Sequence, residues 1–365
     1  MEWYHIDNVD QIDSPALAVY PSRIAQNIAL VKQIAGGAEK LRPHVKTTKI
    51  AEVCEMMLQE GITKFKCATI AEAEMLGTIH AHDVLLAYQP VGPKVQRFIS
   101  LIQAYPATRF ACLVDHADSA RYLHTLCQLH NVKADIYIDL NVGMNRTGIV
   151  PEQITPLLET LEEHTSLQLI GVHAYDGHIH DRDLALREQA ADACYHIAKQ
   201  VQDSLVRRLG HPIHLVIGGT PSFPIHIQHE AVECSPGTFA FWDWGYSHML
   251  EDLSFQYAAV LLSRIISIVD ENHICLDLGH KSVAAENPLP RVHFLNAPEA
   301  EPVAQSEEHL VLRIQGHTLS IGDVLYGIPV HICPTVALYD TAHVITDHRK
   351  IKEWAIVARK RVINY

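Results

Sequence analysis

An alternation of strands and helices runs through the first two-thirds of the sequence. Between about residues 15 and 235, short apolar runs alternate with stretches of helical periodicity. Strands that alternate with helices predict a parallel sheet with right-handed crossovers. Eight or nine such units in about 220 residues predict a (β/α)8 TIM-type barrel rather than an open sheet.

The predicted elements of this region share apolar interiors and turn-forming flanks. The candidate strands are Pro15–Tyr20, Leu41–Val45, Phe65–Thr69, Val84–Ala87, Arg109–Val114, Asp135–Leu140, Leu167–His173, His214–Ile217 and Ala231–Cys234. The helical patterns are Ser22–Ala35, Thr48–Glu60, Lys94–Ala104, Ser119–His130, Pro151–His164 and Asp181–Leu209. Nine strands are one more than such a barrel needs, so we expect one end strand to be a loop or to belong elsewhere.

The pattern changes after about residue 245, where helical periodicity nearly vanishes. The β-rich runs of this region are Phe255–Val269, His273–Leu278, His309–Ile314, Val330–Cys333, Thr341–Ile345 and Trp354–Val362, with a loop predicted at Pro288–Pro302. Consecutive β-rich runs predict an antiparallel β domain. We therefore expect a barrel domain at residues 15–245 and a β domain at residues 246–365, which residues 1–14 could join.

Composition limits the partners of the chain. A net charge of −13 argues against a nucleic-acid or anionic-membrane partner. The longest apolar stretch, Tyr257–Val269, is interrupted by Ser263 and Arg264 and is too short to span a bilayer. The eight cysteines are scattered without a CxxC, and the N-terminal residues do not resemble a signal peptide. These features predict reduced thiols in a cytoplasmic protein.

The segment LRPHVKTTK places Lys46 between a short apolar run and an amphipathic helix. This junction lies at the C-terminal mouth of a predicted strand, where α/β enzymes keep their chemistry. If neighbouring side chains exclude water there, the amine loses proton affinity and becomes a nucleophile or base. The position favours Schiff-base chemistry with a carbonyl cofactor. The alternative is a solvated surface lysine.

Two glycine-containing turns, IGGTPS and SPGTF, follow the last barrel-like strands. Their backbone N–H groups can converge on an anion, and the last loops of such barrels commonly bind phosphate. Plain turns are the alternative. The candidate phosphate-binding residues are Gly218, Gly219, Thr220, Gly237 and Thr238.

Two further loops at strand ends carry polar side chains. The loop DLNVGMNRTG holds Arg146, whose planar guanidinium could pair with an anionic oxygen; a surface arginine is the alternative. The segment VHAYDGHIH offers His173, Tyr175 and His178, for which a packing or capping role is the alternative.

A metal-binding pattern occurs late in the chain. If residues 330–333 form a strand, the side chains of His331 and Cys333 lie on one face. A nitrogen and a sulfur donor suit zinc, and two ligands leave positions open for water or substrate. The alternative is a half-buried histidine and cysteine without a metal.

Other catalytic patterns are absent from the sequence. There is no GxSxG elbow and no GxxxxGK[ST] loop, so a serine hydrolase and a P-loop are not predicted. Glu72 and Glu74 lie two apart on a predicted helix and point in different directions, which makes them poor candidates for a paired acid and base.

The motifs RPHVKTTK, DLNVGMNRTG, VHAYDGHIH, IGGTPS, SPGTF and HICPT follow one another as in the D-threonine aldolase / D-serine dehydratase family. The chain resembles this family over almost its full length. These are fold-type III pyridoxal phosphate (PLP) enzymes with an alanine racemase-like barrel. The resemblance implies that Lys46 is the Schiff-base lysine, that Arg146 contacts the ring oxygen and that Tyr175 contacts the ring. It also implies that the glycine and threonine residues named above hold the phosphate.

The resemblance further implies that His331 and Cys333 bind a divalent metal, zinc with manganese as the alternative. Cysteine at this position goes with zinc-dependent D-serine dehydratase-like members and aspartate with D-threonine aldolases. We therefore expect a lyase that converts D-serine to pyruvate and ammonia, in which the metal makes the β-hydroxyl a better leaving group. The alternatives are D-threonine aldolase, an amino-acid racemase and a non-catalytic PLP-binding protein. A homodimer is also implied.

Overall fold

The computed structural model describes residues 2–316 and 318–365. The chain divides into two compact units. The unit that we call the barrel unit comprises Val31–Lys46, Cys54–Gly237 and Lys360–Tyr365. The other, the β unit, comprises the chain up to Leu30, Thr47–Val53 and Thr238–Arg359.

Within the described residues there are sixteen strands and ten α-helices. The strands are β1 (Ala16–Val19), β2 (Lys64–Cys67), β3 (Asp83–Leu86), β4 (Arg109–Val114), β5 (Ala134–Leu140), β6 (Leu167–Ala174), β7 (His214–Ile217), β8 (Val232–Cys234), β9 (Ala259–Asp270), β10 (His273–Leu276), β11 (Val292–Phe294), β12 (Glu301–Gln305), β13 (Leu310–Arg313), β14 (Val324–Pro329), β15 (Thr341–Thr346) and β16 (Arg349–Ala355). The helices are α1 (Pro21–Ala35), α2 (Ala51–Gln59), α3 (Ile70–Thr78), α4 (Pro93–Ala104), α5 (Ala117–Leu129), α6 (Thr155–Glu163), α7 (Leu184–Leu209), α8 (Phe223–His226), α9 (Trp244–Met249) and α10 (Ile332–Val336).

The barrel unit contains a seven-stranded parallel sheet in the order β2 to β8. Leu41 forms a parallel bridge to Cys234 of β8, and His44 forms one to Lys66 of β2. Residues 41–44 therefore stand between the last and the first strand and complete the ring. The predicted (β/α)8 barrel is confirmed, with an irregular segment in the position of one strand. Pro43 lacks the N–H that a regular ladder requires there.

The interior of the barrel is packed by side chains from five consecutive strands. They are Leu85, Ala111, Leu113, Tyr137, Ile170 and Val216. Strands of a parallel barrel are buried on both faces, which explains the nearly continuous apolar runs of β4 and β6. This packing fixes the C-terminal ends of the strands, from which the candidate site residues project.

The β unit is built on a nine-stranded sheet ordered β12-β13-β10-β9-β1-β15-β16, extended by β14 on β9 and by β11 on β14. It contains β1, so Pro15–Tyr20 holds a strand as predicted, and it is the end strand that was expected to belong outside the barrel. Ala16 pairs with Leu262 of β9 in an antiparallel ladder, and Ala18 pairs with His343 of β15 in a parallel one. All four residues of β1 are buried, and a run buried on both faces does not reveal which sheet it joins.

The prediction of a strand at Val330–Cys333 was wrong. His331 is the N-cap residue of the short helix α10, and Cys333 lies in its first turn. The run is β-branched and apolar, which suggested a strand, but Pro334 follows directly. Proline is favoured in the first turn of a helix because its fixed φ suits that position.

Other differences concern short elements. The loop predicted at Pro288–Pro302 contains β11 and the start of β12, and β14 was not predicted. The run Trp354–Val362 contributes only its first two residues to β16. The helix expected around Glu72 and Glu74 is α3, in which both carboxylates are buried. The remaining predicted elements agree to within a few residues at their ends.

In the described part of the chain, none of the helices combines the length and the apolar character needed to cross a membrane. None of the eight cysteines forms a disulfide, and seven of them are buried while Cys333 is partly exposed.

Candidate active site

Lys46 lies in the turn that follows the ring-closing segment 41–44. Its side chain is half-buried, and its backbone N–H donates to Nδ1 of His44 at 3.3 Å. Its Nζ is 5.8 Å from the centroid of the Tyr175 ring. The lysine therefore stands at the C-terminal edge of the barrel, where the sequence placed it.

Tyr175 follows β6 directly and is surrounded by three cationic side chains. The ring centroid is 5.8 Å from Lys46 Nζ, 5.4 Å from Lys66 Nζ and 5.1 Å from the guanidinium carbon of Arg146. These separations are within the range of cation–π attraction. We call Lys46, Lys66, Arg146 and Tyr175 the amine cluster. Its concentrated positive charge suits an anionic ligand.

Arg146 is exposed on the loop after β5, and that loop is held by its own side chains. Oδ1 of Asn141 accepts from the backbone N–H of Gly143 at 3.0 Å and of Asn145 at 3.2 Å. Thr147 donates to Asp139 at 2.9 Å. These bonds fix the loop so that the guanidinium faces the Tyr175 ring.

His173 and Asp139 form a buried pair in which Nδ1 of His173 lies 2.7 Å from Oδ1 of Asp139. The other carboxylate oxygen accepts from Gln89 and from Thr147, each at 2.9 Å. Burial raises the pKa of Asp139, but the hydrogen bonds from His173, Thr147 and Gln89 outweigh this effect and lower the pKa. Burial and the charge of Lys66 lower the pKa of His173. Asp139 is thus a carboxylate beside a neutral imidazole.

Lys66 is a site residue that the sequence analysis missed. It lies on β2 and is 2% exposed, and its Nζ is 3.4 Å from Nε2 of His173. Burial and then the charge of Lys46 lower its pKa to about 7, while Asp176 and Asp139 oppose this shift. A signal was available, because strands of a parallel barrel are buried on both faces, so a lysine in the interior of the strand KFKC is unusual.

The predicted phosphate loops lie after β7 and β8 and are tied to each other. Thr220 Oγ1 accepts from the backbone N–H of Gly237 at 3.1 Å, and Ser222 Oγ accepts from that of Gly219 at 3.2 Å. Gly218 has φ +84°, and a Cβ there would lie 2.9 Å from the His226 ring. A Cβ at Gly219 would lie 3.2 Å from the Tyr175 ring. The positive φ of Gly218 favours glycine at that position.

A second buried pair lies beneath these loops. Nε2 of His226 is 2.7 Å from Oδ2 of Asp176, and both side chains are almost fully buried. Among the described residues, Asp176 Oδ1 and His226 Nδ1 have no hydrogen-bond partner. A buried polar atom without a hydrogen-bond partner lowers the stability of the folded chain. Asp176 and His226 both belong to segments that carry candidate site residues. By contrast, His178 lies against Cys194 and Gly143, which is the packing role given as its alternative.

His331 and Cys333 lie together in the β unit, at the start of α10. Nδ1 of His331 is 2.5 Å from Oε1 of Glu286, and the side chains of His331 and Cys333 are hydrogen-bonded to each other. Burial alone would lower the pKa of His331, but Cys333, Glu286 and Asp243 raise it to about 9. A carboxylate on one ring nitrogen of a histidine is the usual support of a metal ligand.

Cys333 also contacts two threonines of the β unit. Its sulfur is 3.1 Å from Oγ1 of Thr47 and 3.6 Å from Oγ1 of Thr238. Thr238, predicted for the phosphate cradle, is thus a neighbour of the predicted metal ligand. No group of three or more His, Cys, Asp or Glu side chains capable of holding a metal occurs in residues 2–316 and 318–365. His331 offers a nitrogen and Cys333 a sulfur, which are donor types that suit zinc.

The structure defines a (β/α)8-barrel protein whose strand ends carry an amine-rich site, joined in sequence to a β-sheet unit. The family model for the alanine racemase N-terminal domain matches residues 19–242, and the model described as "Putative serine dehydratase domain" matches residues 258–345. The chain belongs to the alanine racemase N-terminal domain family.

Relatives with known activities match along nearly the whole chain. D-threonine aldolase of Arthrobacter sp. is 24% identical over 97% of this chain and 94% of its own. D-serine dehydratase of Dictyostelium discoideum is 23% identical over 94% of this chain and 96% of its own. The crystal structure of D-threonine aldolase from Filomicrobium marinum superposes with a TM-score of 0.88 at 22% identity, covering 98% of both chains. It shares the fold described above.

Proposed function

We propose that this protein is a PLP- and metal-dependent lyase acting on D-hydroxy amino acids, with β-elimination of D-serine to pyruvate and ammonia as its reaction. The observation that carries the proposal is the amine cluster, in which Lys46 stands among cations at the strand ends of the barrel. Relatives aligned along nearly the full chain are lyases of D-hydroxy amino acids, which supports the same class of reaction.

The residues of the barrel unit fit PLP. Lys46 offers a primary amine for its aldehyde, Arg146 a forked donor for an anionic oxygen, and Tyr175 an aromatic face. The loops after β7 and β8, joined by the hydrogen bond between Thr220 and Gly237, lie at the strand ends where barrels of this kind commonly bind a phosphate. When bound, PLP supplies an electron sink for charge that develops at the substrate Cα.

Lys46 would also act as the base that removes the proton from the substrate Cα. A neutral amine at the edge of the barrel can take the Cα proton of a bound substrate, and the cations around Tyr175 favour a substrate carboxylate nearby.

His331 and Cys333 would hold the divalent metal, for which zinc suits the nitrogen and sulfur donors. Glu286 orients His331 through Nδ1. When bound, the metal supplies Lewis acidity toward a substrate hydroxyl. The cysteine at position 333 is the reason we propose the dehydratase reaction rather than aldol cleavage.

The test is product analysis of the purified, PLP-saturated protein with D-serine and D-threonine, with and without a chelator. The proposal predicts a keto acid and ammonia, loss of both on chelation, and recovery on addition of zinc. Lys46→Ala should be inactive, and Lys133→Met, a change at an exposed residue, should be active. Absence of any product from both substrates with bound PLP would contradict the proposal.

The second candidate is D-threonine aldolase. It is favoured by the relative of that name from Arthrobacter sp., which aligns with 97% of this chain. The same experiment distinguishes the two, because aldol cleavage of D-threonine releases glycine and acetaldehyde. That outcome would mean that Cys333 does not mark the elimination reaction.

A further inference from the structure

A cavity of about 270 Å³ lies on the outer side of the barrel strands, and none of the residues that line it takes part in the reaction proposed above. Leu85 points into the barrel interior and Ala87 packs against the same cluster, so Leu86 between them faces outward. Leu86 lines the cavity together with Ile70, at the start of α3, and Pro90, which precedes α4. The cavity therefore lies outside the barrel interior, and part of its wall is apolar.

Three cationic side chains line the same cavity, namely Lys94, Arg97 and Arg361. No acidic side chain lines it, and none of the three cations forms an ion pair in residues 2–316 and 318–365. The whole chain carries 42 acidic and 29 basic residues, so acidic partners are more numerous than basic residues. Like charges gathered around one recess repel each other. The three cations therefore destabilise the folded chain unless an anion balances them.

The carboxylate of Glu72, at the start of α3, does not supply this anion. Its side chain is fully buried, and its Oε2 accepts from the backbone N–H of Ala68 at 2.6 Å. The side chain of Thr69 in turn accepts from the backbone N–H of Glu72 at 3.1 Å. These reciprocal bonds form a capping box, in which Glu72 serves the helix itself.

Arg97 has a donor that the described residues leave unused. Its Nη2 donates to the backbone carbonyl oxygen of Arg361 at 2.9 Å. Its Nε is shielded from solvent, and the described part of the chain offers it no hydrogen-bond partner. A charged donor that is buried without an acceptor lowers the stability of the folded chain. The guanidinium group of Arg97 lines the cavity, so an acceptor placed in the cavity can remove this penalty.

Tyr88 and Lys94 stand at the open side of the cavity. The Tyr88 side chain is 45% exposed although it lines the cavity. Nζ of Lys94 lies 4.2 Å from the centroid of the Tyr88 ring, within the range of cation–π attraction. An aromatic ring next to the apolar wall can cover the apolar part of a ligand, while the ammonium group beside it attracts an anionic part.

We propose that this cavity binds a small organic anion, one that carries a phosphate or carboxylate group on an apolar body. The anionic group lies among Lys94, Arg97 and Arg361, because guanidinium groups offer forked donors to both kinds of oxyanion. One of its oxygens accepts from Nε of Arg97, and the apolar body lies against Leu86 and Tyr88. The volume is slightly below the range of about 300–1,000 Å³ that holds drug-sized ligands, which selects a small ligand. The inference does not depend on the proposed function, since no residue of the amine cluster lines the cavity.

The direct test follows the arginine Nε–H groups by NMR in the full-length chain labelled with 15N in arginine. The Arg97 signal is the one that Arg97→Gln lacks. The probes are phenyl phosphate, benzoate and, as an uncharged molecule with the same ring, benzyl alcohol. We expect an anion to shift the Arg97 signal with half-saturation below about 1 mM, an ordinary affinity for a ligand of this size. Benzyl alcohol should cause no shift, and sodium chloride should weaken the response to the anion.

The two anions distinguish the sources of the charge. A response to phenyl phosphate alone identifies the ligand class as a phosphate monoester, and a response to benzoate alone identifies it as a carboxylate. Lys94→Met and Arg361→Met should each weaken binding about tenfold or more, because each removes one charged contact. Lys133→Met and Arg207→Met, at exposed positions of the barrel unit, are the matched controls and should leave the affinity unchanged.

Lys46→Ala separates this cavity from the amine cluster, and the Arg97 response should persist in it whether or not PLP is bound. A response that Lys46→Ala abolishes would place the anion at the amine cluster and overturn the inference. The absence of a shift with either anion up to about 10 mM, or an equal shift with benzyl alcohol, would also overturn it. If Lys94→Met and Arg361→Met change the sedimentation of the protein while no anion binds, the cations serve a contact between copies of the chain and the inference is wrong. Failure to bind PLP would refute the proposed function alone.

Discussion

Replacing the buried Lys66 by methionine should stabilise the protein, and the gain should depend on pH. Burial and the charge of Lys46 lower the pKa of Lys66 from 10.5 to about 7. Between these pH values the unfolded chain binds a proton that the folded chain does not, so stability rises with pH in that range. At about 1.4 kcal/mol for each tenfold change in proton affinity, the lysine lowers the free energy of unfolding by about 4 kcal/mol at pH 7.

Methionine has a similar length and carries no charge, so it removes this cost and also the hydrogen bond to His173, which contributes about 1 kcal/mol. We expect a net gain of about 3 kcal/mol at pH 7, falling to about zero near pH 10. Urea unfolding at pH 7, 8.5 and 10 measures it, with Lys133→Met as the matched exposed control. A stability unchanged or reduced at pH 7, or a gain that does not decline with rising pH, would refute the reasoning.

The other predictions concern the site and the barrel. Lys46→Ala should abolish turnover while leaving the circular dichroism spectrum unchanged, and appreciable remaining activity would exclude Lys46 as the essential amine. Arg146→Lys should weaken PLP binding about tenfold or more in a fluorescence titration, because lysine cannot form a forked pair with an anionic oxygen; equal affinity would exclude that contact. Arg42→Ala should lower the free energy of unfolding by about 3–5 kcal/mol, because it leaves Asp83 and Glu233 without their buried partner. If urea unfolding shows that the free energy of unfolding falls by less than about 1 kcal/mol, water replaces Arg42 as the partner of these carboxylates.

The sequence predicted the barrel because strands and helices have different hydrophobic periodicities. Each periodicity can be recognised within a short stretch of sequence. It did not predict where β1 pairs, because a strand buried on both faces carries no pattern that selects a partner. It also gave the wrong structure for the segment around His331, where an apolar run forms a short helix with Pro334 in its first turn. The first difference depends on contacts between residues far apart in the chain, whereas the second has a local cause.

The candidate site was predictable where a motif follows a strand, as for Lys46, Arg146 and Tyr175, which the fold brings around one ring. The contacts between polar side chains inside the barrel were not predictable. Lys66 and His173 are 107 residues apart, and no local pattern joins them. Such pairs arise because strands that are not neighbours in the sheet, here β2 and β6, point side chains into the same barrel interior, which the sequence of one strand does not reveal.

The most direct test of the central claim is to reduce the PLP-loaded protein with borohydride and map its peptides by mass spectrometry. The account predicts one phosphopyridoxyl group, attached to Lys46, and none in Lys46→Ala. A protein that carries no such group, or that carries it on another lysine in the unmodified chain, would contradict the assignment of Lys46 and the PLP-dependent chemistry built on it.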